Sequence, residues 1–444
     1  MSNINKAQVN GTNRTKSTIS FWIKRGTLGA DQKIFSFVYG GAEYLMKFKS
    51  NDQINIYSYN GSSYVGRIET NQVFRDPSAW YHFHIQVDTT DATSGNRFRF
   101  YVNGEQVTSL LNSNTPSQND NFELSTSNHH LYIGSQSDGG DAFAGSFAHF
   151  NYTDGYSYAP TVFGETDSST GEWKINTSPS VTYGTNGFFL KFENSGNLDL
   201  DSSGNNLTFT TTGTITQTQD NPSNVFATMN PLDNYFFDGT FINGNNTVQS
   251  GNSSYAYCSS TIHVSSGKYY WEIKADTPHS SMRVGIGSKM ATSTSDNLGN
   301  DTDGEAVIYP SGSIKVDNVD NPNSWSGTSW TTGDILGFAL DLDNNKLYIS
   351  KNGTFMNSGD PTSGSTGTGA ISIIAPSNTP TGAYFVAWGD NSSSGSATMS
   401  HNFGNGFFGT TAISSEGTNA SNIGKFEYDV PTGYTALSTK GLNE

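Results

Sequence analysis

A single cysteine, Cys258, serves 444 residues. No intrachain disulfide can form, and a cysteine-based zinc cluster is ruled out because it needs several thiols. Runs of about 18 apolar residues are missing, so no helical membrane insertion is expected. The opening MSNINKAQVNGTNRTKS is polar and lacks a signal peptide's apolar core, which makes synthesis in a cytoplasm the expectation. Charge is scarce: 23 Lys and Arg stand against 39 Asp and Glu, for a net −16. Residues 1–165 carry 12 basic and 14 acidic side chains, and the remainder 11 and 25. An acidic later part and the want of any basic stripe disfavour nucleic acid as a partner. Long stretches of Lys, Glu, Leu and Ala are lacking, as is any heptad repeat, so long helices and coiled coils are not expected. A homo-oligomer must then assemble through β-surfaces. No glycine-rich loop opens a helix, which leaves nucleotide binding unsupported.

What is present suits strands and tight turns: 48 Gly, 22 Tyr and 28 Phe, with abundant Thr, Asn and Ser. In STISFWIKRG, Ile19, Phe21 and Ile23 alternate with polar partners as in a half-buried strand. AWYHFHIQVDTT puts Tyr81, Phe83, Ile85 and Val87 on one face and Trp80, His82, His84 and Gln86 on the other. NRFRFYVNGEQV and NNKLYISKNGTF share one grammar: alternation broken at Asn-Gly, the pair that suits the positive φ values of a two-residue hairpin turn. In DILGFALDLD, Leu336, Phe338, Leu340 and Leu342 form the core face. Short strands with turn signals about every ten residues predict an all-β chain of two antiparallel sandwiches. The expected division is a sandwich over 1–165, a connector with a small sheet over 166–250, and a second sandwich over 251–444. The two Asn-Gly hairpins then mark two modules rather than a duplicated site, since the strands around them do not align as a repeat.

The first segment resembles the concanavalin-A-like, laminin-G-like jelly-roll family. ISFWIKRG, WYHFHIQVD, RFRFYVNGEQV, LYIGSQ and FAGSFAHFNYTDG carry the likeness. It implies a two-sheet, lectin-like sandwich of a kind that often binds sugars, sometimes with calcium. The third segment resembles the SPRY family through YYWEIKAD, RVGIG, GDILGFALDLDNNKLYISKNG, HNFGNGFF and VPTGYTAL. That likeness implies a binding module without catalysis, whose variable loops form the recognition surface. The whole arrangement is similar to structural proteins of tailed, particularly marine, bacteriophages, on YAPTVFGETDSSTGEWK, NGFFLKFENSGNLDLDSSGNNLTF, DNPSNVFATMNPL and VPTGYTALSTKGLNE. It implies a place on the virion surface, as a tail-fibre or receptor-binding component or as a capsid decoration. Partners would be other virion proteins and host-surface glycan.

Several residue sets are candidates for chemistry. A retaining glucanase needs two carboxylates about 5 Å apart. Glu272 with Asp276 and Glu427 with Asp429 are the nearest pairs, and both lack a third acid, so the chain is read as no enzyme. His82 and His84, roughly 7 Å apart on one strand face, are candidates for sugar or metal contact, against an ordinary packing role. His129 and His130 point to opposite faces and cannot easily share an ion. Asp138, Asp141 and Asp154 flank late strands, and the loop SQSDGGDAF is the candidate calcium wrap, against a glycine-rich turn. No cofactor is required. Asp341 and Asp343 fit a hairpin better than an ion. Trp325 and Trp330, in NPNSWSGTSW, are candidate sugar-stacking platforms, against plugs at a loop base. Cys258 has no placed base and is read as structural.

Overall fold

A computed structural model gives the fold. It describes residues 2–136, 139–233, 239–251, 256–289, 292, 298–322, 325, 327–390 and 395–443. Among these, helical segments are confined to short 3-10 turns, and every other regular element is a strand. The chain is all-β, with multiple antiparallel sheets, as its alternating patterns require.

Contacts divide the chain into two compact units, residues 1–217 with 221–223, and residues 218–220 with 224–444. The segment 166–250, expected as a connector, is therefore divided between them. Its Trp173–Ile175 strand does form a small sheet, with Gly164–Thr166. The strands Phe188–Leu190 and Thr210–Thr212 instead extend the two large sheets of the first unit, and Thr247–Ser250 extends a sheet of the second. The segment's buried side chains explain this: Phe188 and Leu190 join the first core, Val248 the second.

In the first unit an eight-stranded sheet runs, in spatial order, Leu110–Asn114, Tyr64–Val73, Gln53–Tyr59, Ala42–Phe48, Gln32–Tyr39, His130–Ile133, Asn3–Ala7 and Thr210–Thr212. A six-stranded sheet runs Phe188–Leu190, Gly145–Asp154, Lys16–Arg25, Trp80–Asp88, Phe98–Val102 and Glu105–Gln106. Ile19, Phe21, Ile23, Phe83, Ile85 and Val87 meet Phe35, Tyr44, Phe48 and Ile56 in one core. Aromatic rings dominate it, with Phe21 stacked on Phe150 at 4.7 Å between centroids.

The opposite face of Trp80–Asp88 is buried too. His82 is 1% exposed and His84 0%. The chain after Asp154 returns over this face, bringing Tyr158, Phe163 and Trp173 against it. Alternation predicts a half-buried strand, and the covering strap makes it fully buried.

In the second unit one sheet is built on Gly239–Ile242, Thr247–Ser250, Thr398–Asn402, Lys268–Thr277, Ile335–Asp341, Lys346–Lys351 and Thr354–Phe355. The other has Ala256–Ser259, Phe385–Asp390, Met282–Gly287, Ala306–Ile308, Ile314–Val316 and Val319–Asp320. Leu336, Phe338, Leu340 and Leu342 enter the core beside Trp271 and Trp388. The reverse face, with Ala339, packs under Phe426, Val430 and Tyr434 from the chain's last stretch.

The twin hairpins are built alike. Val102 pairs Glu105, and Lys351 pairs Thr354, so each loop is two residues. Asn103 and Gly104 have φ of 48° and 82°, and Asn352 and Gly353 49° and 80°. Each asparagine also extends the ladder to the neighbouring strand. Asn103 N–H donates to the His82 carbonyl at 2.9 Å, and its Oδ1 accepts the His82 amide at 2.8 Å. Asn352 does the same to Ile335, at 2.8 and 2.9 Å.

Candidate functional site

A recess with convergent polar groups lies in the first unit, where the hairpin after Gln53–Tyr59 faces the segment that follows Leu110–Asn114. It encloses about 430 Å³. On one side stand Asn60, Ser63 and Tyr64; on the other Asn114, Asp120, Asn121 and Glu123. The hairpin tip is shaped by its own sequence, YNGSSY. Gly61 takes φ 91°, and Asn60 Oδ1 accepts the amides of Ser62 and Ser63 at 3.0 Å. Tyr64 is 41% exposed and is held upright by Tyr57 and Tyr59, whose rings lie 5.3 and 5.4 Å away. The Arg67 guanidinium sits 5.2 Å from its ring centre. Across the recess, Asn114 Nδ2 donates to the Tyr64 carbonyl at 2.7 Å, tying the two walls. Asp120 Oδ2 accepts the Ser117 amide at 2.7 Å.

Glu123 sits at the floor. Arg14 approaches it at 3.1 Å and His129 Nε2 at 3.3 Å, the latter at ion-pair distance rather than as an aligned hydrogen bond. Thr126 Oγ1 contacts His129 Nδ1 and fixes the ring. Burial pushes the Glu123 carboxyl up, but His129 and Arg14 outweigh it and hold the group below the ordinary carboxylate range. A general acid for glycoside cleavage needs the opposite shift. Hydroxyls, amides and two carboxylates equip this recess to hold a polar ligand, with Tyr64 at its lip.

The residues singled out from sequence lie elsewhere. His82 is locked between neighbours. Its Nδ1 accepts the Trp173 indole N–H at 2.9 Å, so Nε2 carries the proton and donates to Ser20 Oγ at 2.8 Å. His84 Nε2 donates to the Tyr158 carbonyl at 3.0 Å. Burial lowers the pKa of His82 well below its usual value and that of His84 to about 3. Both rings are neutral packing groups under the strap, out of reach of sugar.

Trp325 and Trp330 are 6% and 3% exposed and belong to the second unit's core. The Trp325 indole donates to the Gly369 carbonyl at 3.0 Å. Their polar sequence surroundings suggested a loop surface, yet the rings plug the base of that loop.

Of the three calcium candidates, Asp138 lies outside the described residues. Asp141 and Asp154 stand beyond and at opposite ends of the Gly145–Asp154 strand, roughly 30 Å apart for ten residues, and cannot share an ion. Asp154 is fully buried, and its Oδ2 accepts the amides of Thr12 and Asn186, both at 2.9 Å. It is a structural clasp.

Glu272 is fully buried and takes the Glu427 and Tyr428 amides at 2.9 and 2.8 Å, with Asn402 Nδ2 at 3.2 Å. Asp276 instead accepts Ser400 Oγ at 2.6 Å.

A set not flagged from sequence is Asp301, Asp303 and Glu305, whose carboxylates offer ligand atoms within 4.8 Å of one another. Lys289 Nζ stands 3.0 Å from Asp301 and 3.6 Å from Asp303, so an ammonium already serves this cluster.

Residues 3–162 match the sequence model of the Concanavalin A-like lectin/glucanases superfamily. The matched span includes every residue that lines the recess, and leaves out the strands Phe188–Leu190 and Thr210–Thr212 of the same sandwich. Among solved structures the chain is similar to the SPRY domain of human HERC1, at 16% identity and a TM-score of 0.31, over 39% of this chain and 96% of that one. It is also similar to a SAP-like pentraxin from Limulus polyphemus, at 15% identity and a TM-score of 0.29, over 41% and 92%. The PSpry domain of TRIM65 is a further likeness, at 13% identity and a TM-score of 0.28, over 40% and 91%. No curated protein matches the chain.

Proposed function

We propose that this chain is a non-enzymatic binding protein of a tailed-bacteriophage particle, which engages host-surface glycan through the recess beside Tyr64. The observation that carries the reading is that recess itself: a cleft of amides and hydroxyls, with an exposed tyrosine on its lip and a half-buried acid, Glu123, held below the ordinary carboxylate range. The match to the Concanavalin A-like superfamily supports it, since that superfamily's printed name covers lectins as well as glucanases. The likeness of the sequence to phage structural proteins supports display on a virion, as a tail-fibre or receptor-binding component. Shallow single sites of this kind gain strength when many copies on one particle engage together.

The test is glycan-array binding by the full chain, displayed multivalently. Tyr64→Ala is expected to lower affinity about tenfold, the scale of one lost stacking contact. Unchanged binding in that variant, or release of reducing sugar by the intact chain, overturns the reading.

A second reading, a head-decoration or assembly role through protein contacts, is favoured by one feature. The edge strand Leu110–Asn114 carries no charge, and its Leu111 is 51% exposed. Labelling of particles separates head from tail placement.

A further inference from the structure

The side chains that line the recess carry charge of one sign, which bears on what it accepts. Its lining holds two carboxylates, Asp120 and Glu123, and no Lys, Arg or His. Glu123 is matched from behind the wall by Arg14 at 3.1 Å. Asp120 has only neutral donors: the Ser117 amide takes its Oδ2, and the Asn121 and Asn114 amides stand in the same lining. Arg67, beside the lip, pairs with Glu69 at 2.6 Å, and Arg97, outside the lining, is turned to the backbone carbonyls of Asp91, Ala92 and Pro116. A carboxylate or sulfate entering here therefore meets a negative charge with no cation in the lining to answer it, whereas an ammonium meets a ready partner. In a half-open cleft, one such charge shifts affinity by several-fold, and salt screens the effect.

We propose that the recess selects by charge: it takes uncharged or amine-bearing saccharides and rejects uronate-, sialate- and sulfate-bearing ones, with Asp120 as the specificity-determining residue. This rests on the glycan reading of the same cleft. Discrimination here works through a repulsive element against the wrong partner, rather than through an added contact to the right one.

The experiment is an array of uncharged, amine-bearing and carboxylate- or sulfate-bearing saccharides, probed with the full chain and with Asp120→Asn at low and high salt. Asn retains an acceptor for the Ser117 amide. Expected is a preference for the first two classes. The Asp120→Asn change should raise the ratio of carboxylated to uncharged affinity about three- to tenfold at low salt, and high salt should shrink the difference. Tyr64-dependent binding dominated by anionic saccharides, or a ratio that does not move in Asp120→Asn, overturns charge selection while leaving glycan recognition standing. Silence towards every class, or binding indifferent to Tyr64→Ala, overturns both.

Discussion

Glycine 104 and glycine 353 show how much one residue can be asked to do. Each has φ near +80°, a region that costs a side-chain-bearing residue about 1–2 kcal/mol. Each is also roofed by an aromatic ring. A Cβ on Gly104 would stand 2.5 Å from the Trp173 ring, and one on Gly353 2.6 Å from the Tyr428 ring. Gly104→Ala and Gly353→Ala should therefore each destabilise their unit by about 2–4 kcal/mol, strain and overpacking together. Denaturant titration checks this. Adding Trp173→Ala to Gly104→Ala should relieve only the steric share, leaving the backbone strain. The two-residue turn was legible from Asn-Gly alone, because φ is a local property. The roofing ring was not, since Trp173 lies 69 positions from Gly104 and nothing local links them. The same gap between local and distant explains the misplaced tryptophans. NPNSWSGTSW reads as exposed loop, yet Trp325 reaches the Gly369 carbonyl, 44 positions on.

Among elements, strands were legible and their coverings were not. Alternation in Trp80–Asp88 correctly separates Phe83, Ile85 and Val87 from His82 and His84. It cannot say whether the second face meets water or another part of the chain, because histidine suits both. The strap supplies the answer, and Trp173 is its main fastening: it stacks on His82 at 5.8 Å between centroids, donates to its Nδ1, and covers Gly104 and Gly164. Trp173→Ala should cost the first unit about 2–4 kcal/mol. It should also raise amide exchange in Gly164–Thr166 and Trp173–Ile175, while exchange in Lys16–Arg25 stays slow. Equal loosening of both regions would mean that the strap is no separable element. The recess was invisible for a related reason. YNGSSY and the polar run at 112–121 each look like ordinary turn chemistry, and only the pairing of Leu110–Asn114 with Tyr64–Val73 brings them face to face.

At the scale of the molecule the two units should answer acid differently. In the first, burial lowers His82 well below its ordinary value, His84 to about 3 and His149 to about 4. The unfolded chain takes up protons on these imidazoles as pH falls through 6.5, and the folded unit does not. Their stability contribution is present above that pH and lost below it, at about 2 kcal/mol per fully suppressed imidazole by pH 5. Glu123, held below its ordinary range, loses stability further down, as pH falls through the unfolded value and then its own. In the second unit burial pushes Glu272 and Glu305 up to about 7. Their sign is reversed: the folded unit holds these protons more tightly than the unfolded chain, so their contribution is greatest below the ordinary glutamate pKa and disappears as pH rises through 7. His401, lowered to about 4, and His263, also lowered, oppose them. Moving from pH 7.5 to 5.5 should thus weaken the first unit steadily, while gains and losses largely offset in the second. Calorimetry at the two pH values, with hydrogen exchange assigning each transition, tests this. The first unit's transition should fall by several degrees and the second's should shift much less. A second-unit transition that falls as far as the first would show that Glu272 and Glu305 are ionised within the fold at both pH values, held by their hydrogen-bond donors.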